Sequence, residues 1–301
     1  MDSGNVVFAE KPRLRQPYMV CGMGGWLDGG EAATGSVRYL IRKLEAIVFA
    51  DMPIAKFQVF QVPGQVSLGP SIEIEDGIIK DYRLPENRFF YWVNPRSDHD
   101  LILFLGTEPN MNWEEYAGSI LDVAQEFGVA TIYRLGGMLD NSPYMREPRT
   151  YCICSSPELK DEMDKYGVQY MSYAGPATFG TTLLHLCQTR GMEMASMTVG
   201  ATCYPEFNIV ISYDPKAIRA LMRRLNHLLG LSLDLSDLDK EVWNLQDKLA
   251  SVARHNAQFA AYIKQLEKDF VEVKYEEPLD ISAEEAVQLA QELLKGEKEG
   301  Q

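Results

Sequence analysis

The sequence lacks the features that mark membrane proteins, secreted proteins and nucleic-acid-binding proteins. No apolar run approaches the roughly 18 residues that a membrane-spanning helix needs. The first residues, MDSGNVVFAEKPRLRQP, contain no apolar core of a signal peptide. The net charge of −14 has the wrong sign for a surface that binds phosphates. We therefore expect no membrane span and no nucleic-acid partner.

Paired cysteines and metal-binding patterns are also missing. The cysteines are few, scattered and odd in number: Cys21, Cys152, Cys154, Cys187 and Cys203. This usage is typical of free thiols in a reducing compartment, so we expect a cytoplasmic protein. No second cysteine or histidine pair lies at zinc spacing from the Cys-Ile-Cys segment, and the four histidines form no known motif. The sequence predicts no metal and no other cofactor.

What the sequence does contain is an alternation of strand and helix patterns. The segment from Tyr18 to Leu44 reads as a strand, a glycine loop and a helix, and similar units recur up to residue 230. Further strands are predicted from Lys56 to Gly64 and in a hairpin around Asp76-Gly77. This order predicts an α/β domain with a mixed sheet over residues 1–230. Residues 231–301 form a predicted helical extension, with 16 acidic against 8 basic residues.

Four glycine-bearing loops follow predicted strands: GGWLDGG, GTEPN, GGMLD and AGPATFG. In open α/β sheets, ligands bind in the crevice at the carboxyl ends of the strands. If the strands are parallel, all four loops line that crevice. The candidate crevice residues are Gly24, Gly25, Trp26, Asp28, Glu108, Gly137, Arg146, Thr178 and Gly180.

The first of these loops does not match a phosphate-binding motif. The third glycine of a dinucleotide fingerprint would fall at Leu27, and no Gly-Lys-Ser/Thr follows. Asp28 and Glu31 are predicted to occupy the helix N-terminus, where an anion would otherwise bind. We therefore interpret the loop as a tight strand-to-helix turn in which Trp26 packs against a neighbour.

Two charged residues remain as candidates for chemistry. Glu108 lies in the loop after a buried strand, which makes it the best candidate for a general acid or base. We favour a structural role, in which Glu108 caps a neighbouring helix or binds a backbone amide. Arg146 lies in a proline-rich loop, where it would clamp an anion or, as we favour, pair with the acidic surface. No catalytic residue can be assigned from these patterns.

The extension carries a regular heptad pattern. Apolar residues recur at alternating spacings of three and four over residues 235–270, which amounts to five unbroken heptads. Such a pattern predicts a coiled coil or a helical hairpin that binds a partner. Asn256 occupies a core position, where a polar residue often fixes register. The proposed partner positions are Leu238, Val242, Leu245, Leu249, Asn256, Phe259, Ile263 and Leu266. A capping box at Ser282 predicts one further short helix.

Five segments in order carry a resemblance to a known family. They are MGGWLDGGEAATGSVRYL, GTEPNMNWEEYAGSILDVAQEFGV, LGGMLDNSPYMREPR, YAGPATFGTTLL and ISYDPKAIRALMRRLNHLLGLSLDLSDL. Together, over residues 15–295, they resemble the bacterial branch of the proteasome-assembly-chaperone family, and in particular the relatives of assembly chaperone two. The resemblance implies a three-layer α/β/α core like the phosphorylase/hydrolase-like fold, a C-terminal helical arm and a homo-oligomer.

The resemblance also shapes the functional expectation. It implies a non-enzymatic protein that binds protein partners and assists assembly, with no catalytic set to transfer. Archaeal relatives dock on proteasome rings through a penultimate tyrosine, whereas the final residues here are KGEKEGQ, so we do not expect docking by that route. The alternative hypothesis is a small-molecule-binding protein or hydrolase that uses the crevice.

Overall fold

The computed structural model describes residues 5–60, 70–271, 273 and 275–276. The strands are β1 (Val7–Phe8), β2 (Tyr18–Gly24), β3 (Ile47–Asp51), β4 (Ser71–Glu75), β5 (Ile78–Arg83), β6 (Arg88–Trp92), β7 (Leu101–Thr107), β8 (Thr131–Asp140), β9 (Thr150–Cys154), β10 (Gln169–Tyr170) and β11 (Glu193–Thr202). The helices are α1 (Ala32–Leu44), α2 (Trp113–Glu126), α3 (Pro157–Met163), α4 (Phe179–Thr189), α5 (Pro205–Val210), α6 (Pro215–Leu228), α7 (Ser236–His255) and α8 (Ala257–Asp269).

Nine strands form one mixed sheet in the order β1-β3-β6-β7-β2-β8-β11-β9-β10. The four central strands, β7, β2, β8 and β11, are parallel to one another, and the flanking strands β6 and β9 are antiparallel to them. Buried apolar side chains run along the central strands because helices cover both faces of the sheet. The parallel centre gives the sheet a carboxyl edge where β7, β2, β8 and β11 all end.

The helices pack on the two faces of this sheet and complete a three-layer α/β/α core. One face packs against α1, α3 and α6, with Val37, Leu40 and Leu221 fully buried. The other face packs against α2 and α4, with Tyr116 and Leu183 fully buried. The predicted α/β/α class with a mixed sheet and a C-terminal helical region is confirmed.

The predicted hairpin is present, whereas the strand predicted just before it is not. Strands β4 and β5 join through Asp76 and Gly77, whose φ angles are 51° and 77°. Positive φ at both turn residues is what a type I′ hairpin requires. The strand predicted from Lys56 to Gly64 is wrong over its described part, residues 56–60, which are irregular. Phe57 is buried against Tyr116 there, so burial rather than strand pairing explains the apolar pattern.

The heptad region folds back onto the core instead of forming one long helix. Helix α7 ends at His255 and α8 starts at Ala257, so the heptad pattern is divided between two helices. Asn256 has extended φ and ψ, and its side chain accepts hydrogen bonds from the backbone N–H groups of Gln258 and Phe259. It is therefore the N-cap of α8, not a polar residue in a coiled-coil core.

The apolar heptad positions are buried within the chain itself. Leu245, Leu249, Phe259 and Ile263 form one cluster with Tyr144, Tyr204 and Phe207 of the α/β core. Leu238 joins the main core cluster and Val242 is 2% exposed, while Leu266 packs at the margin of the smaller cluster. This apolar face is thus covered intramolecularly, so a partner that binds the arm would contact its outer face.

Some expectations concern residues beyond the described ranges. The short helix predicted from the capping box at Ser282 lies outside them, as do the final residues KGEKEGQ. The division of the chain at residue 230 stays a prediction, and Leu231 and Leu238 belong to the main core cluster. Within the described ranges, no helix is both long enough and apolar enough to cross a membrane.

The packing of the arm makes a prediction about Phe259. This ring is 2% exposed and contacts Tyr144 and Tyr204 of the core at centroid distances of 6.4 and 5.5 Å. Because a buried ring is removed, Phe259→Ala should lower the free energy of unfolding by about 3 kcal/mol and speed hydrogen exchange in α8. Trp243→Ala, at a position that is 60% exposed on α7, is the matched control and should cost less than about 0.5 kcal/mol. Equal losses from the two variants would contradict the docking of the arm.

Candidate functional site

Three of the four glycine loops meet at the carboxyl edge of the sheet. The loops after β2, β7 and β8 follow neighbouring parallel strands. The fourth loop follows β10, which is parallel to β9 and therefore antiparallel to the central strands. The condition of the prediction, that the strands are parallel, is not met for β10, so this loop does not begin at the carboxyl edge. The N-terminus of α4 nevertheless reaches the same place, because Gly180 lies against Arg134 of β8.

A buried ion pair occupies the space between these loops. The Arg134 Nη2 group lies 3.3 Å from the Glu108 Oε1 atom, and the two side chains are 1% and 10% exposed. The other carboxylate oxygen of Glu108 accepts a hydrogen bond of 2.8 Å from the backbone N–H of Trp26. Glu108 thus links the loops after β2 and β7 to strand β8. Binding a backbone amide is the role that the sequence favoured for it.

Glycines make room for the ion pair. A Cβ atom on Gly25 would lie 2.6 Å from the Glu108 carboxylate, and one on Gly180 would lie 2.8 Å from the Arg134 guanidinium carbon. A Cβ atom on Gly136 would lie 2.6 Å from Arg134 Nη1. These distances are shorter than side-chain contacts allow. At these three positions the glycine loops therefore accommodate the protein's own ion pair.

Burial controls the electrostatics of the pair. It raises the pKa of the Glu108 carboxyl, and the facing Arg134 guanidinium opposes that rise only in part. Burial also lowers the pKa of Arg134, against the opposing charge of Glu108. The Arg134 Nε atom has no hydrogen-bond partner among the described residues. The pair is therefore held at a desolvation cost, and removal of one partner would leave a buried, unpaired charge.

Asp28 closes the helix end that a phosphate would need. Its carboxylate accepts hydrogen bonds from the backbone N–H groups of Ala33 and Thr34 and from the Thr34 hydroxyl, at 2.7 to 3.0 Å. The predicted occupation of this N-terminus by a carboxylate is correct for Asp28. Glu31 has a different role, because it precedes α1 with a φ of 51° and pairs with Arg38.

Trp26 is exposed rather than packed. It is 85% exposed at the tip of the loop after β2, so the expectation that it packs against a neighbour is wrong. Other large apolar side chains follow the adjacent parallel strands. Met111 after β7 is 43% exposed, Leu139 at the end of β8 is 68% exposed, and Ile209 in α5 after β11 is 84% exposed. We call Met111, Trp26, Leu139 and Ile209 the apolar edge row.

The remaining candidates have structural partners. Gly24 accepts a hydrogen bond from Glu108 N, and Gly137 N donates one to Leu27 O, both at 2.8 Å. Thr178 forms a capping box with Thr181 at the start of α4. Arg146 pairs with Glu267 of α8 at 2.9 Å, which joins its loop to the arm. Pairing with an acidic group is the role that the sequence favoured for Arg146.

The sequence interpretation missed Arg134, the centre of this site. The available signal was a lone charged residue inside the apolar segment VATIYRL, directly before two glycines. A charged residue on a buried strand needs a partner, so the position alone calls for a carboxylate close to it in the fold. Register confirms the arrangement, because Arg134 pairs with Cys21 of β2, and β2 in turn pairs with β7, which ends one residue before Glu108.

The charged groups of Asp28, Glu108 and Arg134 are engaged in capping, backbone binding or the ion pair. Within the ranges that the structure describes, no three histidine, cysteine, aspartate or glutamate side chains are grouped to hold a metal ion. Burial also raises the pKa of the Cys21 thiol beneath the site, which keeps it in the unreactive thiol form. What faces solvent at this edge is the apolar edge row.

The chain belongs to the PAC2 family, whose family model matches residues 23–253. This match confirms the resemblance stated from the sequence motifs. It also extends past residue 230 into α7, so the family model includes part of the arm. A search of curated proteins found no significant match.

Solved structures share this fold. A PAC2 family protein from Streptomyces avermitilis is 28% identical, with a TM-score of 0.68, and the match covers 82% of this chain and 99% of that one. A proteasome-assembly chaperone homologue from Mycobacterium tuberculosis is 24% identical, with a TM-score of 0.69 and the same coverage. PbaB from Pyrococcus furiosus, described as an archaeal proteasome activator, is 24% identical, with a TM-score of 0.60 over 82% of this chain and 97% of that one.

The ion pair makes a prediction that a double-mutant cycle can test. Glu108→Gln leaves the buried Arg134 cation without a countercharge, and Arg134→Met leaves the carboxylate without one. Each should lower the free energy of unfolding by about 3 kcal/mol, and the double variant should lose less than the sum, as measured by urea denaturation. Glu126→Gln, which breaks the exposed pair with Lys11, should cost under about 1 kcal/mol. Additive losses in the cycle would show that Glu108 and Arg134 do not act as a pair.

Proposed function

We propose that this protein is a non-enzymatic, assembly-chaperone-like protein that binds protein partners through its apolar edge row and acts as a homo-oligomer. Membership of the PAC2 family and the fold shared with proteasome-assembly chaperone homologues support the chaperone-like role. The five free cysteines support a cytoplasmic location.

The observation that carries the proposal is the exposure of the apolar edge row. Trp26, in the loop after β2, is 85% exposed, Leu139, at the end of β8, is 68% exposed, and Ile209, in α5 after β11, is 84% exposed. Exposing side chains of this size costs free energy unless another molecule covers them. Tryptophan is also among the residues enriched at the centres of protein interfaces. A protein surface is therefore the ligand that best fits this edge.

The alternative, a small-molecule-binding protein or hydrolase, has less support at this edge. Its crevice would lie between the glycine loops, where the side chains of Glu108 and Arg134 pair with each other. A hydrolase needs a nucleophile within hydrogen-bond reach of a base. Among the described residues that line the loops, Glu108, Asp28 and Thr178 are already committed to other groups.

The partner class follows by analogy with the relatives. The homologue from Mycobacterium tuberculosis is described as a proteasome-assembly chaperone homologue, and PbaB as a proteasome activator. We propose that a subunit of an oligomeric protein assembly, with proteasome subunits as the first to test, contacts the apolar edge row of this chain. This mode of binding needs no tyrosine near the C-terminus.

The proposal predicts that Trp26 contributes strongly to partner binding. The full chain, immobilised, would be exposed to purified proteasome α-subunits and, separately, to an extract of the source cells, with retained proteins quantified by mass spectrometry. Trp26→Ala should weaken retention of the partner by roughly 30-fold, as expected for an interface tryptophan.

Trp243→Ala is the matched control, since Trp243 is also exposed but lies on α7, away from the carboxyl edge. It should leave retention unchanged. Melting temperatures of the two variants should match that of the wild type because neither ring is buried. If no protein retained by the wild type is lost specifically from Trp26→Ala, the carboxyl edge is not the binding surface.

A further inference from the structure

Two cysteine side chains lie next to each other on strand β9. Cys152 and Cys154 are two residues apart, so both side chains are on the same face of the sheet, in the core cluster that includes Leu159 and Met163 of α3. Their Sγ atoms are 3.6 Å apart, which is within hydrogen-bond distance for thiols. Neither residue is in a disulfide. The two residues therefore form a reduced pair of thiols in direct contact.

The two thiols differ in their access to solvent. Cys152 is 1% exposed, whereas Cys154, the last residue of β9, is half-buried. An oxidant in solution therefore reaches Cys154 more easily than Cys152. An accessible thiol with a second thiol directly beside it is the arrangement of a reactive cysteine and its resolving cysteine.

The surroundings of Cys154 favour its thiolate form. A hydrogen bond from the Cys152 thiol lowers the pKa of Cys154, and the charge of Lys160 on α3 lowers it further. Burial and the carboxylates of Glu193 and Asp164 oppose this shift only in part. The same hydrogen bond, together with burial, raises the pKa of Cys152, which therefore keeps its proton.

The other cysteines lack this activation. Burial raises the pKa of Cys21, of Cys187 and of the half-buried Cys203. Cys154 is thus the one cysteine among the five whose pKa is lowered. Because the thiolate is the nucleophile, an oxidant should react first at Cys154.

We propose that Cys152 and Cys154 are a redox pair that hydrogen peroxide oxidises to a disulfide. The Cys154 thiolate attacks one peroxide oxygen, so an S–O bond forms, the O–O bond breaks, and the departing hydroxide takes up a proton as water. The Cys152 sulfur then attacks the sulfenic acid on Cys154. The S–S bond forms, the S–O bond breaks, and the departing hydroxide takes the Cys152 proton as a second water. In all, the two thiols lose two electrons and the peroxide gains them.

Strand geometry makes this disulfide reversible. Residues two apart on a strand have Cα atoms roughly 6.6 Å apart, close to the upper limit of about 6.8 Å for disulfide-bonded cysteines. A bond near that limit is strained, and strained disulfides are the ones that dithiol reductants remove readily. The bond between Cys152 and Cys154 should therefore form under peroxide exposure and be lost again in a reducing compartment.

The redox pair lies away from the carboxyl edge of the sheet. Strand β9 is antiparallel to β11, and Cys154 is opposite Ala195, near the start of β11. Cys154 is therefore at the amino ends of the central strands, opposite the end that carries the apolar edge row. The inference does not rest on the proposed function, and Trp26→Ala should leave the redox pair unchanged.

Mass spectrometry of the full chain after treatment with hydrogen peroxide tests the inference. Trypsin cleaves after Arg149 and Lys160, so both cysteines fall on one peptide, TYCICSSPELK. The disulfide form of this peptide resists alkylation and is lighter than the dithiol form by the mass of two hydrogen atoms. It should form at least roughly tenfold faster than Cys203 loses its thiol, because the rate follows the thiolate fraction. Dithiothreitol should then restore the dithiol form.

Single substitutions separate the two roles. Cys152→Ala should prevent the disulfide and leave a sulfenic acid on Cys154, which dimedone traps. Cys154→Ser should slow the reaction of the remaining Cys152 thiol with peroxide at least roughly tenfold, because that thiol is buried and keeps its proton. Cys203→Ser is the matched control, since Cys203 is also half-buried but donates to Asn141 instead of contacting a second thiol. It should leave the yield of disulfide unchanged.

Three results would overturn the inference. The first is a wild-type peptide that remains a dithiol at peroxide concentrations that oxidise Cys203 or exposed methionines. The second is a disulfide that joins two chains instead of Cys152 to Cys154. The third is a rate of disulfide formation or of thiol loss that Cys154→Ser leaves unchanged. Each of these is distinguishable from failure of the proposed function, which is measured by retention of a protein partner.

Discussion

The carboxyl edge of the sheet depends on one buried interaction, the ion pair between Arg134 and Glu108. Arg134 lies on a central strand and is 1% exposed, so its charge needs a partner within the fold. Glu108, which directly follows β7 on the far side of β2, supplies that partner, and its second carboxylate oxygen accepts a hydrogen bond from the backbone N–H of Trp26. The glycines at 25, 136 and 180 follow from this arrangement, because any larger residue would collide with one of the two charged groups.

The same interaction explains why a site that resembles a ligand crevice is better suited to protein binding. The charged groups that would recognise a substrate are instead bound to the protein itself. Glu108 forms an ion pair with Arg134, and Asp28 accepts a hydrogen bond from the backbone at the start of α1. Fixing the loop backbone in this way directs Trp26 outward, since its N–H is bound to a buried carboxylate while its ring is 85% exposed. A rigid loop that presents an exposed aromatic ring loses little conformational entropy when it binds a partner.

Much of the fold could be predicted from local patterns, whereas the centre of the site could not. Continuous apolar runs identified β2, β7 and β11, and the Asp76-Gly77 pair identified the hairpin, because these signals lie within a few residues of one another. The Arg134–Glu108 pair joins residues 26 positions apart and depends on strand order, which periodicity does not reveal. The direction of β10 was missed for the same reason. The heptad pattern continues across the helix break at Asn256 because α7 and α8 both bury apolar side chains in the same cluster against the core.

The exposed apolar surfaces of the chain depend on different interactions. The apolar edge row lies on loops anchored by the buried ion pair, beside the acidic helix end at Asp28, and its four side chains come from four separate segments. The β4–β5 hairpin presents Ile72, Ile74, Ile79 and Tyr82, which are 52–62% exposed, from one continuous segment. The apolar edge row therefore depends on the folded sheet and its buried ion pair, whereas the hairpin depends on local pairing around Asp76 and Gly77.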